Sequence, residues 1–244
     1  MSEKRVTYEL KDGIATITMD DGKRNALSPE MFKEIYAAFD QAEKDEAFVI
    51  LTGREEVFSA GFDLKVMKSG GARTIAMLKA GYSLTARILE YPYPVIMACN
   101  GHVLAMGVFM LLSGDYNIGA RGDFKISANE VAIGLPLPRV AEAMLRHRLN
   151  PADFQRAGIL AEYFPVEAAH RAGFFDEVVD ASELQARALQ KAQQFKEELD
   201  MTAHRITKRR VRKDIIRHIR RSVPLDLRDA LLLGVKGAMK KKGG

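Results

Sequence analysis

Twenty consecutive residues, Tyr93 to Leu112, carry no formal charge, and this run constrains the chain more than any other feature. Its length matches a bilayer-spanning helix of about 20 residues. However, Pro94, the Asn100-Gly101 pair and His102 interrupt it with turn chemistry. It divides into a β-type run, Val95 to Cys99, and a helical run, Met106 to Leu112. The segment therefore reads as a fully buried strand, turn and helix, not as a membrane span.

The flanking sequence supplies the rest of such a domain. Val6, Tyr8 and Leu10 alternate, as do Ile14, Thr16 and Thr18, with Lys11-Asp12-Gly13 between them. That is a β-hairpin with Asp-Gly at its turn. Ser28-Pro29-Glu30 is a helix start, and Phe32, Ile35, Tyr36 and Phe39 recur at helical spacing, predicting an amphipathic helix from 29 to about 44. Phe48 to Thr52 and Asp115 to Ala120 read as further buried strands, and a helix over 106–113 separates the latter from Val95–Cys99. Strands alternating with helices imply an α/β fold. Beyond about residue 138 the pattern turns helical, over 138–149, 151–160, 165–172, 181–199, 201–221 and 224–240, with one short strand at Asp176 to Val179. An α/β core over 1–195 and a helical region over 196–244 are expected, without a sharp boundary.

With 47% hydrophobic and 28% charged residues, the chain is not of the disordered, collagen-like or mucin-like classes. The net charge of +5 suits anionic small molecules as readily as nucleic acid. Cys99 is the single cysteine, so no internal disulfide or multi-cysteine zinc site is possible, and a reducing cytoplasm fits. The charged start MSEKRVTYEL is not a secretory signal. There is no G-x-S-x-G, Walker, G-x-G-x-x-G or H-E-x-x-H motif, and His102, His147, His170, His204 and His218 lack ligand spacing, so metal catalysis is not expected.

Three segments could carry chemistry. Phe58 to Leu64 (F-S-A-G-F-D-L) and Asn100 to Gly107 (N-G-H-V-L-A-M-G) each follow a strand and lead through a glycine turn toward a helix. Unpaired amides at two such helix starts, converging on one point, would make an oxyanion hole. Asp63 is placed to cap the short helix after the first turn. The third segment, Ala128 to Leu135 (A-N-E-V-A-I-G-L), holds one carboxylate, Glu130, at the edge of an apolar run, a candidate general base with a raised pKa. Taken singly, a turn glycine more often only lets the chain bend, and an acid so placed is more often a solvated surface group.

The order of the three segments is more specific than any one of them. Ala60-Gly61-Phe62-Asp63, then Asn100-Gly101 through Gly107 to Gly114-Asp115, then Asn129-Glu130-Val131 through Gly134, resemble the hallmark pieces of the crotonase (enoyl-CoA hydratase/isomerase) superfamily. Arg24 to Ser28 (R-N-A-L-S), Ala172 to Val179 (A-G-F-F-D-E-V-V) and Ile206 to Lys208 (I-T-K) resemble further landmarks, so the likeness spans residues 6 to about 215.

The resemblance implies a spiral of ββα units with a helical C-terminal oligomerisation region, assembled as a homotrimer or a dimer of trimers. It implies an acyl-CoA thioester as substrate, with no cofactor beyond that coenzyme A. The backbone N–H groups of Phe62 and Met106 would form the oxyanion hole, bulky side chains there reshaping the pocket. CoA would run past Lys23, Arg24, Ala26, Ala60 and Asp63. Met67, Phe109 and Leu135 would line the acyl pocket, and Met67, Met77 and Leu78 would either line it or pack a variable helical segment.

One departure decides the expected reaction. Typical hydratases of the family hold a water between two glutamates; here the first position maps to Phe109 and only the second, Glu130, is acidic. A single carboxylate suffices to move a proton from C2 to C4 of a Δ3-enoyl-CoA, so the pattern resembles the enoyl-CoA Δ-isomerase branch. Hydration, thioester hydrolysis, decarboxylation, C–C cleavage, dehalogenation and simple acyl-CoA binding remain alternatives on the same scaffold. His102 is more often structural than catalytic after an N-G turn, and Cys99 reads as a small core residue.

His204 to Arg221 holds nine lysines and arginines and one acid, Asp214. It reads first as a solvated helix face, with Ile206, Val211, Ile215 and Ile219 as the buried stripe. The alternatives are a surface that draws CoA phosphates or another anion, and nucleic-acid binding; no aromatic residue is interleaved to support base stacking. The final helix, Leu225 to Lys240, ends in a lysine run unlike the usual family ending, which leaves its contact with a neighbouring subunit or CoA open.

Overall fold

The expected hairpin opens the chain: β1 (Val6–Lys11) and β2 (Ile14–Met19) pair antiparallel. Asp12 and Gly13 both take positive φ, 51° and 72°, as the tight turn requires. The computed structural model describes residues 4–242. Residues 243–244, the end of the expected C-terminal region, and the side chains of the closing lysine run lie outside the described residues.

From β2 onward a strand of the main sheet is followed by a short strand in another layer, then by a helix. β2 leads to β3 (Ala26–Leu27) and α1 (Pro29–Lys44); β4 (Phe48–Thr52) leads to β5 (Glu56–Ser59), β6 (Gly61–Phe62), α2 (Leu64–Ser69) and α3 (Gly71–Glu90). β7 (Val95–Cys99) leads to β8 (Gly101–Leu104) and α4 (Met106–Leu111). β9 (Tyr116–Ala120) leads to β10 (Ile126–Ser127), a 3-10 turn at Val131–Ile133 and α5 (Arg139–Arg148). α6 (Pro151–Leu160), α7 (Val166–Ala172), β11 (Glu177–Val179), α8 (Leu184–Glu198) and α9 (Met201–Lys242) complete the chain. The main sheet runs β1-β2-β4-β7-β9-β11, parallel except for β1, while β10-β8-β5 and β3-β6 form the smaller sheets.

Strand alternation builds the core. On β4 and β7, Phe48, Ile50, Ile96 and Ala98 face Leu184, Ala188 and Ala192 of α8. Val49, Leu51, Val95, Met97 and Cys99 face the larger core with α1, α3, α4 and α5. The uncharged run Tyr93–Leu112 supplies β7, β8 and α4, all central. No described helix is long and apolar enough to cross a membrane. The Asn100-Gly101 turn leads into a strand, β8, before the expected helix.

Two corrections concern α9. Its buried stripe is Ile216, Ile219 and Val223; Ile206 and Val211 are exposed. The reason is Asp115: Lys208 and Arg212, both buried, reach it at 2.5 and 2.9 Å. Asp115 also accepts a bond from Val95 N, and Arg212 donates to Gly114 O, so α9 is clamped to the start of β7 and the turn before β9. Helices expected at 201–221 and 224–240 are one helix, with Pro224 inside it. Pro224 is exposed, whereas Val223 and Asp226 are buried. Docking on α3 and α5 on both sides of the proline offsets the lost helical bond.

Candidate active site

The three segments singled out in the sequence meet where the small sheets adjoin. β10 pairs with β8 through Ile126↔Val103 and Ser127↔Leu104, and Ala105 N donates to Ser127 O at 2.9 Å. The stretch leading to Glu130 is thereby held beside the turn into α4. A Cβ on Gly61 would lie 2.9 Å from Leu104 O and 3.2 Å from Met106 N, so only glycine, here at φ +84°, lets the Phe62 segment come this close. Gly107 makes the second close approach, to Ser59 O on β5. Between them Ala105 takes φ 48°, ψ −124°, a strained conformation that costs about 1–3 kcal/mol. It turns the chain abruptly from β8 into α4. Met106 is the first residue of that helix, so its N–H has no intrahelical acceptor.

Glu130 stands at the head of the 3-10 turn, where its carbonyl accepts from Ile133 N and Leu135 N. The side chain is 6% exposed, not on the solvated surface that an acid so placed more often occupies. Its Oε2 is buried without a hydrogen-bond partner, as is Oδ1 of the adjacent Asn129. Burial pushes the carboxyl up to about 7, opposed only by a backbone hydrogen bond. Asp226 is the other deeply buried acid nearby, but Oδ1 accepts from Arg139 N and Nη1 and Oδ2 from Val140 N. It is committed to the start of α5. Tyr82 on α3 is 5% exposed, and its burial, with the nearby Asp226 and Glu130 carboxylates adding to it, raises its hydroxyl pKa. Phe109 is fully buried. Among the described residues no group of three or more His, Cys, Asp or Glu could hold a metal.

The proposed CoA residues form one rim although they lie on two separate segments. Ala60 N donates to Arg24 O, and β3 and β6 pair through Ala26↔Gly61 and Leu27↔Phe62. Buried Asn25 ties this rim together, donating to Met19 O, Val57 O and Phe58 O. Lys23 and Arg24 are exposed there. Asp63 caps α2, accepting from Lys65 N at 2.7 Å and Val66 N at 3.3 Å. The bulky side chains at the two amide positions are turned inward. Phe62 packs on Phe32 and Tyr82, and Met106 is fully buried. Met67 is partly buried against the main core, with Met77 and Leu78 buried in it, whereas Leu135 is 36% exposed.

His102 Nδ1 accepts from Lys125 N at 2.9 Å and its ring meets Phe124 edge-on, a structural employment. Cys99 is buried, its thiol pushed up to about 12 by burial. Sequence reasoning missed Tyr82, Asn25 and Asp226 as neighbours of the site. The i, i+4 pair Leu78–Tyr82 was a usable signal for the first. Asp226 has no local signal, because its partners are 86 and 87 residues away.

Four ββα turns, a helical C-terminal part and a buried acid with an unpartnered oxygen beside two tight turns that lead into helices define an enzyme of the crotonase fold. The model of the family described as enoyl-CoA hydratase/isomerase matches residues 9–227, and the chain belongs to that family. An enoyl-CoA hydratase/isomerase family protein from Pseudomonas syringae is 44% identical, with a TM-score of 0.90 over 92% of this chain and 97% of that one. An enoyl-CoA hydratase from Mycobacterium ulcerans is 41% identical, with a TM-score of 0.89 over 93% and 99%. An enoyl-CoA isomerase from Mycobacterium tuberculosis is 42% identical, with a TM-score of 0.86 over 91% and 96%.

Proposed function

We propose that this enzyme is a Δ3–Δ2-enoyl-CoA isomerase, with Glu130 as its only proton-shuttling base. The observation that carries the reading is the solitary carboxylate: Glu130 is buried with its Oε2 unpartnered, while fully buried Phe109 stands where a second acid would be. A base near pKa 7 is matched to proton transfer at neutral pH. The backbone amides of Phe62 and Met106 receive the thioester oxygen as charge develops, each such donor contributing about 3 kcal/mol. Glu130 removes a C2 proton, leaving a dienolate, and returns the proton at C4, so the C3 double bond moves into conjugation with the thioester. Phenylalanine cannot orient or activate water, so hydration is disfavoured. CoA lies along Lys23, Arg24, Ala26, Ala60 and Asp63, and the acyl chain against Met67, Phe109 and Leu135.

The relatives' names include both hydratase and isomerase, so chemistry must decide. Purified enzyme given trans-3-enoyl-CoA should form conjugated 2-enoyl-CoA, read by absorbance, and should hydrate 2-enoyl-CoA far more slowly. Efficient hydration of 2-enoyl-CoA would overturn the single-base reading. The reading also includes assembly as a trimer or dimer of trimers; exposed Val131, Ile133, Ile159 and Leu160 are surface that such assembly could cover.

A further inference from the structure

The basic stretch of α9 is divided by the fold into two populations. Lys208 and Arg212 point inward and are consumed by Asp115. Arg209, Arg210, Lys213, Arg217, Arg220 and Arg221 are exposed and line an open groove of about 620 Å³ between α9 and the end of α3. Among the described residues its one acidic lining residue is Glu90, paired to Arg220 at 2.6 Å, and Arg217 is paired to Asp214 at 3.0 Å. Arg209, Arg210, Lys213 and Arg221 have no carboxylate partner among the described residues. None of these residues belongs to the base, oxyanion or CoA groups named in the isomerase reading.

We propose that the groove is a second anion site, taking a small ligand that carries two or more linked phosphate groups. Three features choose that class. The cations span positions 209 to 221 of one helix, a length of about 18 Å, enough to engage several phosphates at once. Five of the six are arginines, whose planar forks bind phosphate oxygens bidentately. The groove is concave and of small-ligand volume, and it offers no aromatic platform, which favours an oligophosphate over a single-stranded nucleic acid. The phosphates could belong to a free nucleotide polyphosphate or to a second CoA molecule.

Calorimetric titration with inorganic tripolyphosphate tests this, with ATP and CoA as separate arms and sulfate at matched ionic strength as control. Saturable binding should weaken about tenfold or more in Arg209→Glu/Lys213→Glu and, separately, in Arg210→Glu/Arg221→Glu, while Glu130→Gln leaves it unchanged. Both pairs are exposed, and unchanged circular dichroism verifies folding. ATP binding lost with tripolyphosphate binding identifies a free polyphosphate ligand; loss of one of two CoA sites identifies CoA. Absence of binding, equal competition by sulfate, or full affinity in both double variants overturns the proposal.

Discussion

Glu130 holds a carboxylate where water scarcely reaches, and this has consequences for stability as well as for rate. Its folded pKa of about 7 lies above the ordinary 4.5, so between these values the unfolded chain has released a proton that the native state still holds. Stability therefore falls as pH rises through that window, by about 3 kcal/mol in all. Glu130→Gln should remove this decline, giving a variant whose melting temperature exceeds the wild type's above pH 7 and loses that advantage near pH 4.5. The same substitution should lower isomerisation by about 10²–10⁴-fold. In the wild type, kcat/KM should rise with pH through an apparent pKa near 7, as the base loses its proton; a flat profile would assign the step to another group. The acid was legible from motif order, but its burial was not. That comes from tertiary packing, which brings Tyr82 of α3, some 48 residues earlier in the chain, close enough to feel its charge.

At the scale of elements, the clamp between α9 and the sheet is the most testable feature. Asp115 neutralises two buried cations, Lys208 and Arg212, whose pKa values burial lowers, Lys208 to about 8. Asp115→Ala leaves both uncompensated and should cost about 3–5 kcal/mol, with hydrogen exchange rising first along α9. Loss of under 1 kcal/mol would mean that α9 docks through its apolar residues alone. The long-period elements, such as β4, β7 and α1, were legible because each carries its own burial pattern. β3, β6 and β10 have two residues each, too few to show alternation, and they are defined by their partners. The stripe on α9 was misread for a related reason: charge pointed outward by default, while Asp115, remote in sequence, drew Lys208 and Arg212 inward.

For the whole molecule, the family fold was legible in the sequence, whereas the proposed reaction rests on one absence and one burial. In the proposed isomerase, fully buried Phe109 stands in place of a second acid, and Glu130, itself buried, would keep the proton it abstracts. Assembly belongs to this scale too. Light scattering should give a mass three or six times that of the chain, and Ile159→Asp/Leu160→Asp should reduce it; a monomeric wild type would contradict the proposed assembly. The most direct test of the single-base account is label transfer. With 3-enoyl-CoA deuterated at C2, one buried carboxylate moving one proton predicts that part of the deuterium reappears at C4 of the 2-enoyl product, and that Glu130→Gln abolishes the transfer. Complete loss of label to water, or undiminished isomerisation by Glu130→Gln, would contradict it.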